Sequence, residues 1–148
     1  MGAGKTYYGK LYVKKHPGSV RISRDDIRFS YLAPGDDYFS KEKEVLKEFY
    51  GRAQEAINDP NVKAVILDAS HLDDMAIAKT LSHLAIPKGI KVIQVRVCTN
   101  LDTCLRQNAT REGRAKVPDE VIKRAYEQFN VNKQIGWVRK RIDEVWMV

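Results

Sequence analysis

Met1-Gly2-Ala3-Gly4-Lys5-Thr6 constrains the fold of this chain more than any other stretch. It reads as the end of a phosphate-binding loop, G-x-x-x-x-G-K-[ST], without the first glycine and its neighbour. In such a loop, small residues let successive backbone N–H groups turn inward around phosphate oxygens. The helix that follows offers its positive N-terminus to the same oxygens. Gly2, Ala3 and Gly4 supply the loop, Lys5 is placed to reach the β- and γ-phosphates, and the Thr6 hydroxyl to hold Mg²⁺. The plainer reading is a flexible, glycine-containing N-terminus. A P-loop sits between a buried strand and a helix. No residues precede Met1 to make that strand, so the expectation is a P-loop fold lacking its central strand and the start of the loop.

The rest of the chain fits one α/β domain. Its 148 residues are enough to bury a core, and 43% hydrophobic with 30% charged residues is ordinary for a globular protein. No apolar run is long enough to span a membrane and no signal peptide is visible, so a cytoplasmic location without membrane partners is expected. Cys98 and Cys104 lack metal or redox spacing and read as two buried, reduced thiols. An excess of 26 Lys and Arg over 19 Asp and Glu, net +7, suits a polyanionic partner.

Thr6 to Lys15 reads as the helix after the loop, stopped by His16-Pro17-Gly18. Ser19 to Ser23 alternates as a short strand and runs into Arg24-Asp25-Asp26-Ile27-Arg28. Carboxylates between arginines just past a strand stand where an open α/β sheet places its site. One aspartate can equally cap the next helix, with Asp26 nearer the cap and Asp25 facing the cleft. Ala33 to Asp37 is a loop by composition. Ser40 is placed to cap a helix running to about Asn58, whose apolar stripe is Val45, Leu46, Phe49, Tyr50, Ala53 and Ile57. Val62 to Leu67 is a compact run of the kind found in buried parallel strands. Asp68 at its carboxyl end is a candidate Mg²⁺ ligand, or a turn residue. His71 reads as scaffold, without partner ligands nearby. Asp73 caps a further helix, Lys91 to Cys98 alternates as a strand, and Asn100 opens a short helix. Alternating strands and helices predict a parallel sheet with helices on both faces.

From Arg106 the character changes. Arg106, Arg111, Arg114 and Lys116 surround Gly113 and lead to Val117-Pro118. A basic, flexible segment between two helices, about 106–118, is suited to a lid that closes over bound triphosphate and supplies charge. The bland reading is a solvated basic loop. Pro118, Asp119 and Glu120 start another helix with Ile122, Ala125 and Phe129 on its inner face, and 142–148 reads as a final short strand.

The order and spacing of Gly2-Ala3-Gly4-Lys5-Thr6, Ser23-Arg24-Asp25-Asp26-Ile27-Arg28, Asp68-Ala69-Ser70-His71 and Gln107-Asn108-Ala109-Thr110-Arg111 before Val117-Pro118 resemble the phage-type polynucleotide 5′-hydroxyl kinases. The likeness spans Met1 to about Asn130. It implies a three-layer P-loop kinase fold with an arginine-rich lid, using ATP and Mg²⁺ and acting on a 5′-hydroxyl end of DNA or RNA, as in nucleic-acid repair. By this resemblance Lys5 and Thr6 bind the ATP phosphates and Mg²⁺, and Asp25 is the general base. Arg28, beside Arg24, grips a phosphate of the nucleic acid, and Arg111 stabilises the transferring group. The family often carries an arginine immediately before the lid asparagine, where this chain has Gln107; Arg106 or Arg114 can compensate. The C-terminal phosphatase motif of the best-known relatives is not present, so a kinase without phosphatase activity is expected. Other readings stay open. They are a P-loop kinase acting on a small molecule or sugar nucleotide (zeta-toxin-like), the kinase of an RNA repair system, or an inactive nucleotide-binding remnant.

Overall fold

A computed structural model describes residues 2–148. They form two compact units, residues 6–69 with 80–86, and residues 2–5, 70–79 and 87–148.

In the first unit, helix α1 (Lys5–Lys15, whose first residue is assigned to the other unit) leads to strand β1 (Ser19–Ser23), helix α2 (Arg24–Tyr31), helix α3 (Glu42–Asn58) and strand β2 (Ala64–Asp68). β1 and β2 pair in parallel, from Ser19 opposite Ala64 to Ser23 opposite Asp68. A parallel pair needs a long crossover, which α2 and α3 provide. The expected stripe on α3 is the core: Val45, Phe49 and Ala53 are buried against Ile22, Ile27 and Leu84, with Tyr50, Ile57, Val65 and Leu67 packed around them. Each fully buried Val, Leu, Ile or Phe side chain contributes about 1.5–3 kcal/mol relative to exposure. Register is therefore fixed, because a one-residue slip would turn Ile22 and Leu67 away from α3.

In the second unit, α4 (Asp74–Ser82, whose last turn enters the other unit) is followed by β3 (Ile93–Arg96), α5 (Leu101–Ala109), α6 (Asp119–Asn130), α7 (Gly136–Arg141) and β4 (Glu144–Met147). β3 and β4 are again parallel, and bonds from the Asp143 amide to the Val92 carbonyl and from the Cys98 amide to the Val148 carbonyl prolong the ladder. Asp73 caps α4 as expected, its Oδ1 accepting the Ala76 amide at 2.9 Å. Asn100 caps α5 through the Thr103 amide at 2.8 Å.

Several expectations need correction. Ser40 does not cap α3; its hydroxyl donates to the Asp37 carbonyl, and the helix starts after Lys41 without a side-chain cap. The 62–67 run, read as a buried strand, is half-buried throughout β2, because β2 pairs only with β1 among the described residues. Cys104 is buried, but Cys98 is exposed beyond the end of β3, and both are free. Helix α7 is an addition to the expected elements, too short to show a period in the sequence. The parallel pairing is as expected, in two two-stranded ladders.

Candidate functional site

The loop 2–5 is built by two glycines in left-handed conformation, Gly2 at φ +68° and Gly4 at φ +88°. A side chain at either would be strained. At Gly2 it would also collide, because a Cβ there would lie 2.5 Å from the carbonyl oxygen of Cys104 in α5. Thr99 Oγ1 donates to the Ala3 carbonyl at 2.9 Å and ties the loop to the segment before α5. α1 starts at Lys5, so the unsatisfied amides of its first turn follow directly on the loop. Lys5 is half-buried and Thr6 exposed, and neither side chain has a partner among the described residues. This cradle fits a phosphate chain. Met1, the first residue of the motif fragment, lies outside the described residues.

A second cluster stands at the carboxyl ends of β1 and β2. Ser23 Oγ accepts the Asp26 amide at 3.2 Å, so the serine caps α2, not an aspartate as the sequence suggested. Asp26 is free to bond Arg21, whose Nη1 lies 2.9 Å from its Oδ2. Arg21 passes along α1 where Gly9 leaves room, a Cβ at Gly9 lying 3.2 Å from its Cδ. Its Nε and Nη2 reach Asp68 Oδ2 at 2.8 and 2.6 Å. Burial alone would lower the guanidinium pKa, yet the bonds from Asp68 and Asp26 hold it above its ordinary value. Asp68 is 7% exposed, and its Oδ1 has no partner among the described residues. That open carboxylate oxygen is a hard donor of the kind that Mg²⁺ takes together with water and substrate phosphate, as is the Thr6 hydroxyl.

Arg28 is the buried centre of this cluster, with a side chain 3% exposed. Its Nη1 donates to Asp25 Oδ1 at 2.7 Å and to the Tyr38 hydroxyl at 2.8 Å, and its Nη2 to Glu42 Oε2 at 2.6 Å. The guanidinium lies 4.4 Å from the centre of the Tyr38 ring and 5.7 Å from that of Phe39. Arg24 pairs with the other oxygen of Glu42. Burial, then the charge of Arg28, lowers the Arg24 pKa. Tyr38 in turn donates to Asp25 Oδ1 at 2.8 Å. Burial and then the Asp25 carboxylate push its phenol up to about 12, so at neutral pH it is a fixed donor. Asp25 is 63% exposed, and its Oδ2 has no partner among the described residues. Tyr38, Glu42 and Arg21 are members of the cluster that sequence reasoning does not single out. Glu42 carried a faint signal as an acidic residue in the first turn of α3, and Tyr38 none.

The basic segment divides. Arg106 lies within α5 and donates to Thr103 Oγ1 at 3.0 Å, so the loop proper begins at Thr110. Arg111 Nη1 reaches the Ala115 carbonyl at 3.4 Å, and residues Gly113–Ala115 form a short 3₁₀ turn. Fully buried Asn108 closes the loop: its Nδ2 donates to the Val117 carbonyl at 2.7 Å and its Oδ1 accepts the Val117 amide at 3.1 Å. Asn108→Ala leaves both backbone groups unpaired and is expected to cost about 1–3 kcal/mol. Amide hydrogen exchange is the readout, with faster exchange at Val117 expected.

A family profile described as an AAA domain matches residues 1–131. The chain belongs to the AAA domain family. The match runs from the glycine loop through α6, so it takes in Lys5, Asp25, Asp68 and Arg111 and stops short of α7 and β4. Membership in this family supports a nucleotide-binding, P-loop kinase-like domain, as the sequence led one to expect. No curated protein matches the chain. No helix among the described residues is long and apolar enough to cross a membrane, and no group of three or more His, Cys, Asp or Glu side chains is arranged to hold a metal.

Proposed function

We propose that this AAA domain protein is an ATP-dependent polynucleotide 5′-hydroxyl kinase. The observation that carries the reading is Asp25, an exposed carboxylate just past β1, held by one oxygen and open at the other. Phosphoryl transfer asks for positioning and charge stabilisation more than covalent help. The loop amides of 2–4 and Lys5 would hold the β- and γ-phosphates of ATP, and Thr6 and Asp68 would hold Mg²⁺, which would supply positive charge to offset that developing on the phosphate oxygens. Asp25 accepts the proton of the acceptor's 5′-hydroxyl as its oxygen bonds to the γ-phosphorus and ADP leaves. Arg111, with Arg106 or Arg114, supplies charge to the transferring group from a lid over 106–118. Arg24, with a side chain 29% exposed, meets the acceptor's phosphates, and buried Arg28 adds its charge to the cluster. The net charge of +7 supports a polyanionic acceptor.

One observation favours a second reading. Arg28 is enclosed by Asp25, Tyr38 and Glu42, which suits an acceptor that brings no phosphate to it, such as a small hydroxyl compound. Steady-state transfer from ATP to a 5′-hydroxyl oligonucleotide and to nucleosides or sugar nucleotides separates the two. A polynucleotide kinase shows a KM for the oligonucleotide that rises steeply with salt, because bound phosphates release counterions. Faster transfer to an uncharged hydroxyl compound, insensitive to salt, would favour the small-molecule kinase.

A further inference from the structure

A carboxylate acts as a general base only when one oxygen points at the proton it takes. Asp25 stands exposed in the first turn of α2, where an unsupported side chain would exchange among rotamers. It is not unsupported. Tyr38 donates to Oδ1 at 2.8 Å and Arg28 Nη1 to the same oxygen at 2.7 Å, while Arg28 Nη1 also bonds the Tyr38 hydroxyl at 2.8 Å. These three bonds close a ring, and Glu42 holds Arg28 from behind. Tyr38 is itself set by its loop. Asp36 accepts the Ala33 amide, Asp37 accepts the Phe39 amide, and the Tyr38 ring packs edge-on against Phe29 and Phe39.

We propose that Tyr38 is a positioning residue that fixes Asp25 by Oδ1 and leaves Oδ2 to receive the proton of the acceptor hydroxyl. The inference rests on the reading of Asp25 as general base, and holds for a polynucleotide or a small acceptor alike. In the step, the acceptor oxygen bonds to the γ-phosphorus and the bond from that phosphorus to the β,γ-bridging oxygen breaks. Its electron pair leaves with ADP, and the acceptor's proton passes to Oδ2. Tyr38 keeps its own proton throughout.

The test compares wild type, Tyr38→Phe, Asp25→Asn and the double variant in phosphoryl transfer from ATP, on whichever acceptor wild type uses. Tyr38→Phe keeps the ring against Arg28 and removes only the hydroxyl. It is expected to lower kcat by roughly ten- to a hundredfold, the cost of a misplaced reacting group, with KM for ATP unchanged. Because Tyr38 works through Asp25, the double variant should be no slower than Asp25→Asn alone. A merely structural role would instead make the two effects multiply. Multiplying effects, or wild-type kcat in Tyr38→Phe while Asp25→Asn is slow, would overturn the inference and leave Asp25 in its role. Wild-type turnover in Asp25→Asn would overturn both.

Discussion

Asp25→Asn is expected to lower turnover by at least about a hundredfold while ATP and acceptor still bind, which is the usual worth of a general base. Asparagine has nearly the shape of aspartate, and its carbonyl oxygen can still accept from Tyr38 and from Arg28 Nη1, so the ring around Oδ1 is kept. What is lost is the open oxygen. The amide nitrogen placed there is a donor and has no lone pair for the hydroxyl proton. The loss should therefore fall on kcat, with KM for ATP near wild type. Initial rates across ATP and acceptor concentrations separate these outcomes. Turnover near wild type would remove Asp25 from the mechanism.

The second large effect is on stability and concerns a different set of residues. Asp74 is 0% exposed and opens α4. Its Oδ2 accepts the Ile135 amide at 2.7 Å and Arg139 Nε at 2.8 Å, and its Oδ1 accepts Asn132 Nδ2 at 2.9 Å and Arg139 Nη2. Arg139 Nη1 continues to Gln94 on β3 at 2.9 Å. One carboxylate thus ties α4, the 132–135 turn, α7 and β3 together. Asp74→Ala strips several donors of their acceptor at once and leaves Arg139 without its counter-charge. Breaking such a buried pair from one side costs about 3–5 kcal/mol, far more than a surface ion pair contributes. A fall of that size in urea-unfolding stability is expected. A shift comparable with that of an exposed pair such as Lys123 with Glu120 would show that the network carries no load.

The sequence made legible what is local. The helix after the glycine loop, β1, the stripe on α3 and the caps at Asp73 and Asn100 follow from a period of two or 3.6 and from short polar side chains before a helix. The final short strand forms too, as β4. Position also placed Asp25 at the carboxyl end of β1. The unreadable parts depend on pairings across long separations. Arg21 meets Asp68 47 residues away, and Asp74 meets Arg139 65 residues away. No periodicity encodes such partners, so Asp74 gave no signal beside its capping neighbour Asp73. Arg28 illustrates the same limit. Its charge was visible, but its enclosure by Tyr38 and Glu42 was not, because the loop 32–41 brings both to it. The cap of α2 is hidden for a different reason, since Ser23 is also the last residue of the preceding strand.

The most direct test of the central claim is transfer of labelled γ-phosphate from ATP to a 5′-hydroxyl oligonucleotide with Mg²⁺, compared with the same oligonucleotide already 5′-phosphorylated. Label at the 5′ end of the first and none on the second is the expected result, lost when Lys5 is replaced by alanine. Label appearing only in inorganic phosphate or on a small hydroxyl compound, with the oligonucleotide unmarked, would contradict it.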